Sequence, residues 1–370
     1  MIDVRAVELR LVSLPLRSPF RTSFGEEGVK EAILVRVETA EGGVGWGECA
    51  ASPGPRYSEE FNEAAWLVLR DHMAPGVLAA GEVEPEAVGS LLGWVRGNRM
   101  AKAALEMAMT DAFLRDRGQS LAAFLGAERD RVPCGVSVGI APSIDALLEQ
   151  VGAFVDKGYV RVKIKIEPGW DVAPTSAVRE AFPKVPLQVD ANAAYRLVDL
   201  SMFEALDALD LVLIEQPLGH EDLLEHAALQ RRITTPVCLD ESIRSAEDAR
   251  AAIDLGACRV VNIKAGRVGG LLEAKRVHDV ARERGIPVWC GGMLETGVGR
   301  AANLALAALP GFVLPGDASA SDRYFEDDLT EPFVLDEDGC IPVPSGPGLG
   351  VEPRPDRLEE CTVRTERITA

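Results

Sequence analysis

A chain of 370 residues, 47% hydrophobic and 26% charged, is long enough for more than one domain and for a large buried core. Its formal charge of −19 supplies no basic stripe to neutralise phosphates, which argues against nucleic acid and against an anionic membrane surface as partners. No apolar run approaches the ~18 uninterrupted residues of a membrane span, and the opening MIDVRAVELRLVSLPL alternates in polarity where a signal peptide would not. The seven cysteines are odd in number, scattered and without a CxxC pair, so a reducing cytoplasm is expected and a thiolate metal site is not.

Residues 1 to about 50 read as antiparallel strands, because VRAVELRLVSLPL and AILVRVETAEGGVGWGE alternate apolar and polar positions around a Gly42–Gly43 turn. Two loops interrupt them: RSPFRTSFGEEG, carrying Phe20 and Phe24, and ECAASPGPRYSEE, carrying Ser52. Both serve as ordinary connections or as lid loops over a site. From Glu59 to Gly118 the apolar spacing turns to three and four, the period of amphipathic helices. This first part is therefore an α+β domain, and its Met100, Met107 and Met109 fill a core.

A different rhythm follows. RVPCGVSVGI (131–140) reads as a strand with Ser137 near its end, and the next helix has Ser143 as N-cap and Gly158 as its stop. Then Lys165, Asp190, Glu215, Asp240 and Lys264 each close a short β-branched run, 25, 25, 25 and 24 residues apart, with Gly291 27 further on. A period near 25 with a strand and a helix per unit is a series of βα units. One charged group at the same point of every unit means five groups converging on one barrel rim, where barrel active sites sit. The Pro- and Gly-rich tail after about residue 335 breaks this rhythm and is expected to fold back on the first domain.

Asp190, Glu215 and Asp240 offer three hard oxygen ligands, which suits a divalent cation such as Mg²⁺. Asn192 and Glu241 stand just beyond two of them and are placed to orient carboxylates and lysines. The four histidines fall outside the row and are expected on helix surfaces, which makes zinc improbable. Lys163 and Lys165 are two apart on a strand and share a face. Crowded ammonium groups near a cation are expected to lower each other's pKa, which makes a lysine a competent general base. Lys264 arrives from most of the way round the ring, so a substrate carboxylate would lie between two amines beside a metal ion. That arrangement suits abstraction of the proton next to a carboxylate through a stabilised enolate.

These residues, with KIKIEPGWD, LIEQPL, CLDESI, NIKAGRVGG, PVWCGGMLETGVGRAANLALA and LPGDASASDR, resemble the muconate-cycloisomerase-type subgroup of the enolase superfamily. More narrowly they are similar to its o-succinylbenzoate synthases and N-succinylamino acid racemases. The resemblance implies an α/β fold, a (β/α)₇β barrel at 128–330, with an α+β capping domain at 1–127 to which a segment at 331–370 returns. It implies Mg²⁺, also replaceable by Mn²⁺, with Asp190, Glu215 and Asp240 as ligands. It further implies Lys165 and Lys264 as the acid/base pair, Lys163 as support, and a homo-oligomer acting on a small carboxylate substrate. Gly291, Gly292, Met293 and Leu294 would receive a succinyl carboxylate, with Ser137, Phe24 and Ser52 as further substrate contacts. An arginine three residues after the second lysine, here Arg267, marks the racemase-capable members. Dipeptide epimerases and muconate cycloisomerases share this chemistry, while a Schiff-base aldolase or a non-catalytic binding barrel are readings from other classes.

Overall fold

Alternating polarity at the N-terminus builds an antiparallel sheet in the computed structural model, which describes residues 1–369. Ile2–Thr22 pairs with Gly25–Thr39, which pairs with Val44–Cys49, and the C-terminal strand Thr362–Thr369 adds to the other side of Ile2–Thr22. The stretch RSPFRTS, expected as a loop, instead prolongs the first strand to Thr22 past an irregularity between Pro15 and Phe20. The hairpin closes only at Ser23 and Phe24, so Phe24 sits at the tip of a long ribbon. Helix Arg99–Asp116 packs across this sheet. Gly45 and Gly47 make that packing possible, because a Cβ on either would lie within 2.1 Å of the Ala108 or Ala104 carbonyl.

The βα units curl into a parallel sheet of seven strands in sequence order, from Gly135–Val138 to Val288–Cys290. Segment 312–317 lies between its two ends, with Phe312 bridging Val288 and Gly316 bridging Cys134. This irregular piece acts as the eighth stave. The strand expected over 131–140 is broken: Arg131–Pro133 leaves the barrel to pair antiparallel with Cys340–Pro342. Pro133, which lacks an N–H, stands at the break.

Two histidines expected on surfaces are buried. His226 accepts from the Leu218 N–H at 3.2 Å, and His278 accepts from Gly311 at 3.1 Å and stacks on Phe312. Both bind loop amides to their helix, a role that helical periodicity does not reveal.

Two carboxylates of the first domain cap helices of the barrel. Glu48 accepts from Thr296 and Gly299 amides, 3.0 and 2.8 Å, at the start of helix Gly297–Ala307. Glu106 accepts from Leu271 and Leu272, 2.7 and 3.0 Å, at the start of helix Leu271–Glu283. Burial pushes each carboxyl up from 4.5 to about 7, against the hydrogen bonds that pull it down. A raised folded-state pKa means stability that is full below the unfolded value and is lost as pH rises through 7, on the order of 3 kcal/mol per group. Glu106→Gln is therefore expected to flatten the decline of urea-unfolding stability between about pH 5 and 8. A wild-type-minus-variant difference that stays constant across that range would refute this.

Candidate active site

Strand register brings the charged row together. Lys165 pairs directly with Asp190, and Asp190 with Glu215, on adjacent parallel strands. Asp240 and Lys264 follow the strands Val237–Leu239 and Val260–Ile263 by one residue. The strands bearing Lys165 and Lys264 are four apart in a ring of seven strands and one closing segment, so the two lysines face each other across the rim. All six side chains, Lys163 included, are buried.

Each carboxylate faces a cation. Lys163 Nζ stands 3.0 Å from Glu215 Oε2, 3.4 Å from Asp190 Oδ2 and 2.6 Å from Asp317 Oδ2. Lys165 Nζ donates to Asp190 Oδ2 at 2.6 Å and to Asn192 Oδ1 at 2.7 Å. Asn192 donates in turn to Glu241 Oε1 at 2.9 Å. Asp240 is shared: its Oδ2 accepts from Lys264 Nζ at 2.7 Å and its Oδ1 from the Arg267 guanidinium. Arg267 is itself fixed by the carbonyls of Ile243 and Asn262 at 2.7 and 2.6 Å. With the cations drawn in, no three acidic, imidazole or thiolate groups among the described residues are gathered into a metal cage as they stand.

Among the chain's own groups the carboxylates outweigh the crowding of ammonium groups at Lys163 and Lys264. Burial alone would lower the Lys163 ammonium, but Asp317, Glu215 and Asp190 outweigh it and raise its pKa. Lys264 is raised likewise against burial, by Tyr57, Glu215, Glu241 and Asp190. On the acidic side, burial and then the charge of Asp190 raise Glu215 and bring Glu241 to about 6. Asp190 is lowered, because Lys165 and Lys163 overcome its burial.

Lys163, Lys165 and Lys264 line one cavity of about 80 Å³ together with Ser137, Phe24, Ser52, Gly292, Met293 and Leu294. Gly291 lies beneath it, where a Cβ would come within 2.7 Å of the Lys264 side chain. A larger cavity of about 490 Å³ adjoins it, sharing Phe24, Tyr57 and Asn192 and reaching Glu241 and Arg267. Phe24 and Tyr57, ring centroids 6.3 Å apart, line both cavities, while the three lysines line only the smaller. Backbone strain concentrates here as well. Four of the six non-glycine residues with positive φ among the described residues are Asn192, Ala193, Gln216 and Leu294, all just past strand ends at the site.

Three participants escaped the sequence reading. Tyr57 hangs from the second loop, donates to both Asp240 oxygens at 3.3 Å and lies under Lys264 Nζ, 3.1 Å from its hydroxyl. Asp317, on the closing segment, holds Lys163 and Arg161. Asn262 donates to Glu215 Oε1 at 2.6 Å. Asn262 lies two residues before Lys264 on the same strand, so strand alternation would have put it on the same face. Nothing local marks the other two.

A curled parallel βα sheet with opposed lysines around carboxylates, capped by an α+β domain, defines an enzyme of the barrel-and-cap class. The chain belongs to the enolase superfamily: residues 4–126 match the mandelate racemase / muconate lactonizing enzyme N-terminal domain, and 146–357 the enolase C-terminal domain-like family. It is 60% identical over 362 residues to an N-succinylamino acid racemase of Amycolatopsis sp, covering 98% of each chain. It is 48% identical to the o-succinylbenzoate synthase of Geobacillus kaustophilus, covering 98% of this chain and 96% of that one. The crystal structure of an enolase superfamily member from Listeria innocua superposes with a TM-score of 0.95 at 42% identity, over the full length of both chains. Muconate cycloisomerases and dipeptide epimerases are more distant relatives. Enolase superfamily members of this type are metal-dependent. No helix among the described residues is long and apolar enough to cross a membrane.

Proposed function

We propose that the protein enolises carboxylate substrates, dehydrating 2-succinyl-6-hydroxy-2,4-cyclohexadiene-1-carboxylate to o-succinylbenzoate, racemising N-succinylamino acids, or both. The observation that carries this reading is the pair Lys165 and Lys264, lining one cavity from opposite sides around three carboxylates. Mg²⁺ is the cation proposed, with Mn²⁺ able to replace it. The donors suit a hard cation: Asp190, Glu215 and Asp240 are oxygen ligands, and Glu241 Oε2 is buried with no hydrogen-bond partner. When bound there, the cation supplies positive charge to the substrate carboxylate as the enolate forms.

The chain's own groups do the rest. Either lysine, once neutral, takes the α-proton from its own face, and the opposite ammonium returns one to the other face, which inverts the centre. Dehydration needs one lysine as base and then acid, while the other stays cationic beside the enolate. Carboxylates that held a metal would no longer hold a proton on Lys264, which would move that amine towards the neutral form. Arg267 takes one oxygen of Asp240 and so reduces the charge that Asp240 presents to Lys264. That supports a reaction in which Lys264 also serves as a base. Asn192 ties Lys165 to Glu241 and orients the amine. The reacting cavity, about 80 Å³, is smaller than the roughly 300–1,000 Å³ of ligand sites, so substrate entry requires the hairpin tip bearing Phe24 and the loop bearing Ser52 to separate.

The protein is read as a cytoplasmic homo-oligomer. A Schiff-base aldolase would have no use for three carboxylates in phase. The test is an assay of purified protein with Mg²⁺ on both substrates, following o-succinylbenzoate absorbance and the optical rotation of an N-succinylamino acid. Turnover of at least one is expected, and folded protein inert on both would sink the reading.

A further inference from the structure

Lys30 lies in the capping strand Gly25–Thr39 and is 2% exposed. Its ammonium is in none of the ion pairs within 4.0 Å among the described residues. It donates instead to two main-chain carbonyls, Met293 O at 3.0 Å and Ala50 O at 3.2 Å. Its direct hydrogen bonds go only to neutral acceptors, with the Glu48 carboxylate as a longer-range counter-charge. The two acceptors are Met293, which lines the reacting cavity, and Ala50, two residues before the cavity-lining Ser52. Ala50 precedes the Ser52 loop, and Met293 sits in the segment 291–294.

The Met293 peptide groups are held at both ends. Its N–H donates to Glu295 Oε2 at 2.7 Å, and its carbonyl is taken by Lys30. In a trans peptide the carbonyl of Met293 and the N–H of Leu294 point in opposite directions. By holding the carbonyl on the capping-domain side, Lys30 turns the Leu294 N–H the other way. That N–H has no acceptor among the described hydrogen bonds, and Leu294 keeps φ +57, a conformation that a leucine holds only when its surroundings impose it.

We propose that Lys30 is a positioning residue that sets specificity for the far end of the substrate's acyl group. It orients the Met293–Leu294 peptide, locks the Ser52 loop to it, and keeps a positive charge behind the wall against which a distal carboxylate lies. A succinyl group is thereby favoured over a neutral acyl group such as acetyl. The proposal rests on the racemase reading above and deepens it.

The test is Lys30→Met with Mg²⁺, measuring racemisation of one amino acid carried as its N-succinyl and as its N-acetyl derivative. KM for the N-succinyl substrate is expected to rise about tenfold or more, with kcat and the N-acetyl parameters changed about threefold or less. Lys30→Arg, which keeps the charge, is expected to recover most of the preference. Equal losses on both substrates, or no change in their ratio, would overturn the proposal, since a merely structural lysine would scale both alike. If Lys30→Met does not fold, the ratio is read on Glu295→Ala, which frees the other end of the Met293 peptide. A ratio unchanged in that variant overturns the proposal. Wild-type protein inert on both derivatives fails the racemase reading itself, and this proposal with it.

Discussion

Lys264→Ala is expected to lower α-proton exchange of an N-succinylamino acid in D₂O by about 10²–10⁴-fold for the enantiomer whose proton faces Lys264. The other enantiomer, facing Lys165, still exchanges but is not inverted. Proton NMR of each enantiomer separately reads this directly. The variant is expected to fold, because Asp240 keeps Arg267 and Tyr57 as partners after Lys264 is removed. Exchange of both enantiomers at wild-type rates would mean that Lys264 is no base, and the two-lysine mechanism would fall.

The second large effect is expected at Asp240. This one carboxylate serves both Lys264 and Arg267, all three being buried. Asp240→Ala leaves two cations in the interior without their counter-charge. Breaking a buried pair from one side costs about 3–5 kcal/mol, so urea unfolding of the metal-free variant is expected to shift by about that amount. Titration calorimetry is expected to lose most of the Mg²⁺ binding as well, since a carboxylate ligand is gone. Asp240→Asn separates the two effects, because the amide retains one acceptor for Arg267 while its charge is removed. A variant as stable as wild type and binding Mg²⁺ equally well would remove Asp240 from the site.

The barrel and its charged row were legible because both are written at short range. Strand alternation and helical spacing repeat every 25 residues or so, and a residue at a strand's end keeps that place however the units pack. Lys165, Asp190, Glu215, Asp240 and Lys264 all obey this rule, Lys163 shares a face with Lys165 two residues on, and the cavity unites the three lysines with Ser137, Phe24 and Ser52. The broken strand at Pro133 and the extended hairpin to Thr22 were misread for a related reason. Local pattern records that a stretch is extended, and leaves open which partner takes its hydrogen bonds.

From its sequence alone this chain reveals a βα barrel, a capping domain and a row of three acids between two bases, because periodicity and residue type suffice for those. Tertiary structure decided the rest. It carried Tyr57 and Lys30 in from the capping domain and Asp317 in from the closing stave, over separations of hundreds of residues that no spacing rule spans. It also set which carboxylates approach Lys163 and Lys264 closely enough to outweigh burial at those two amines. Coulomb energy falls with distance and burial magnifies it, so protonation state belongs to the folded arrangement and not to the order of residues.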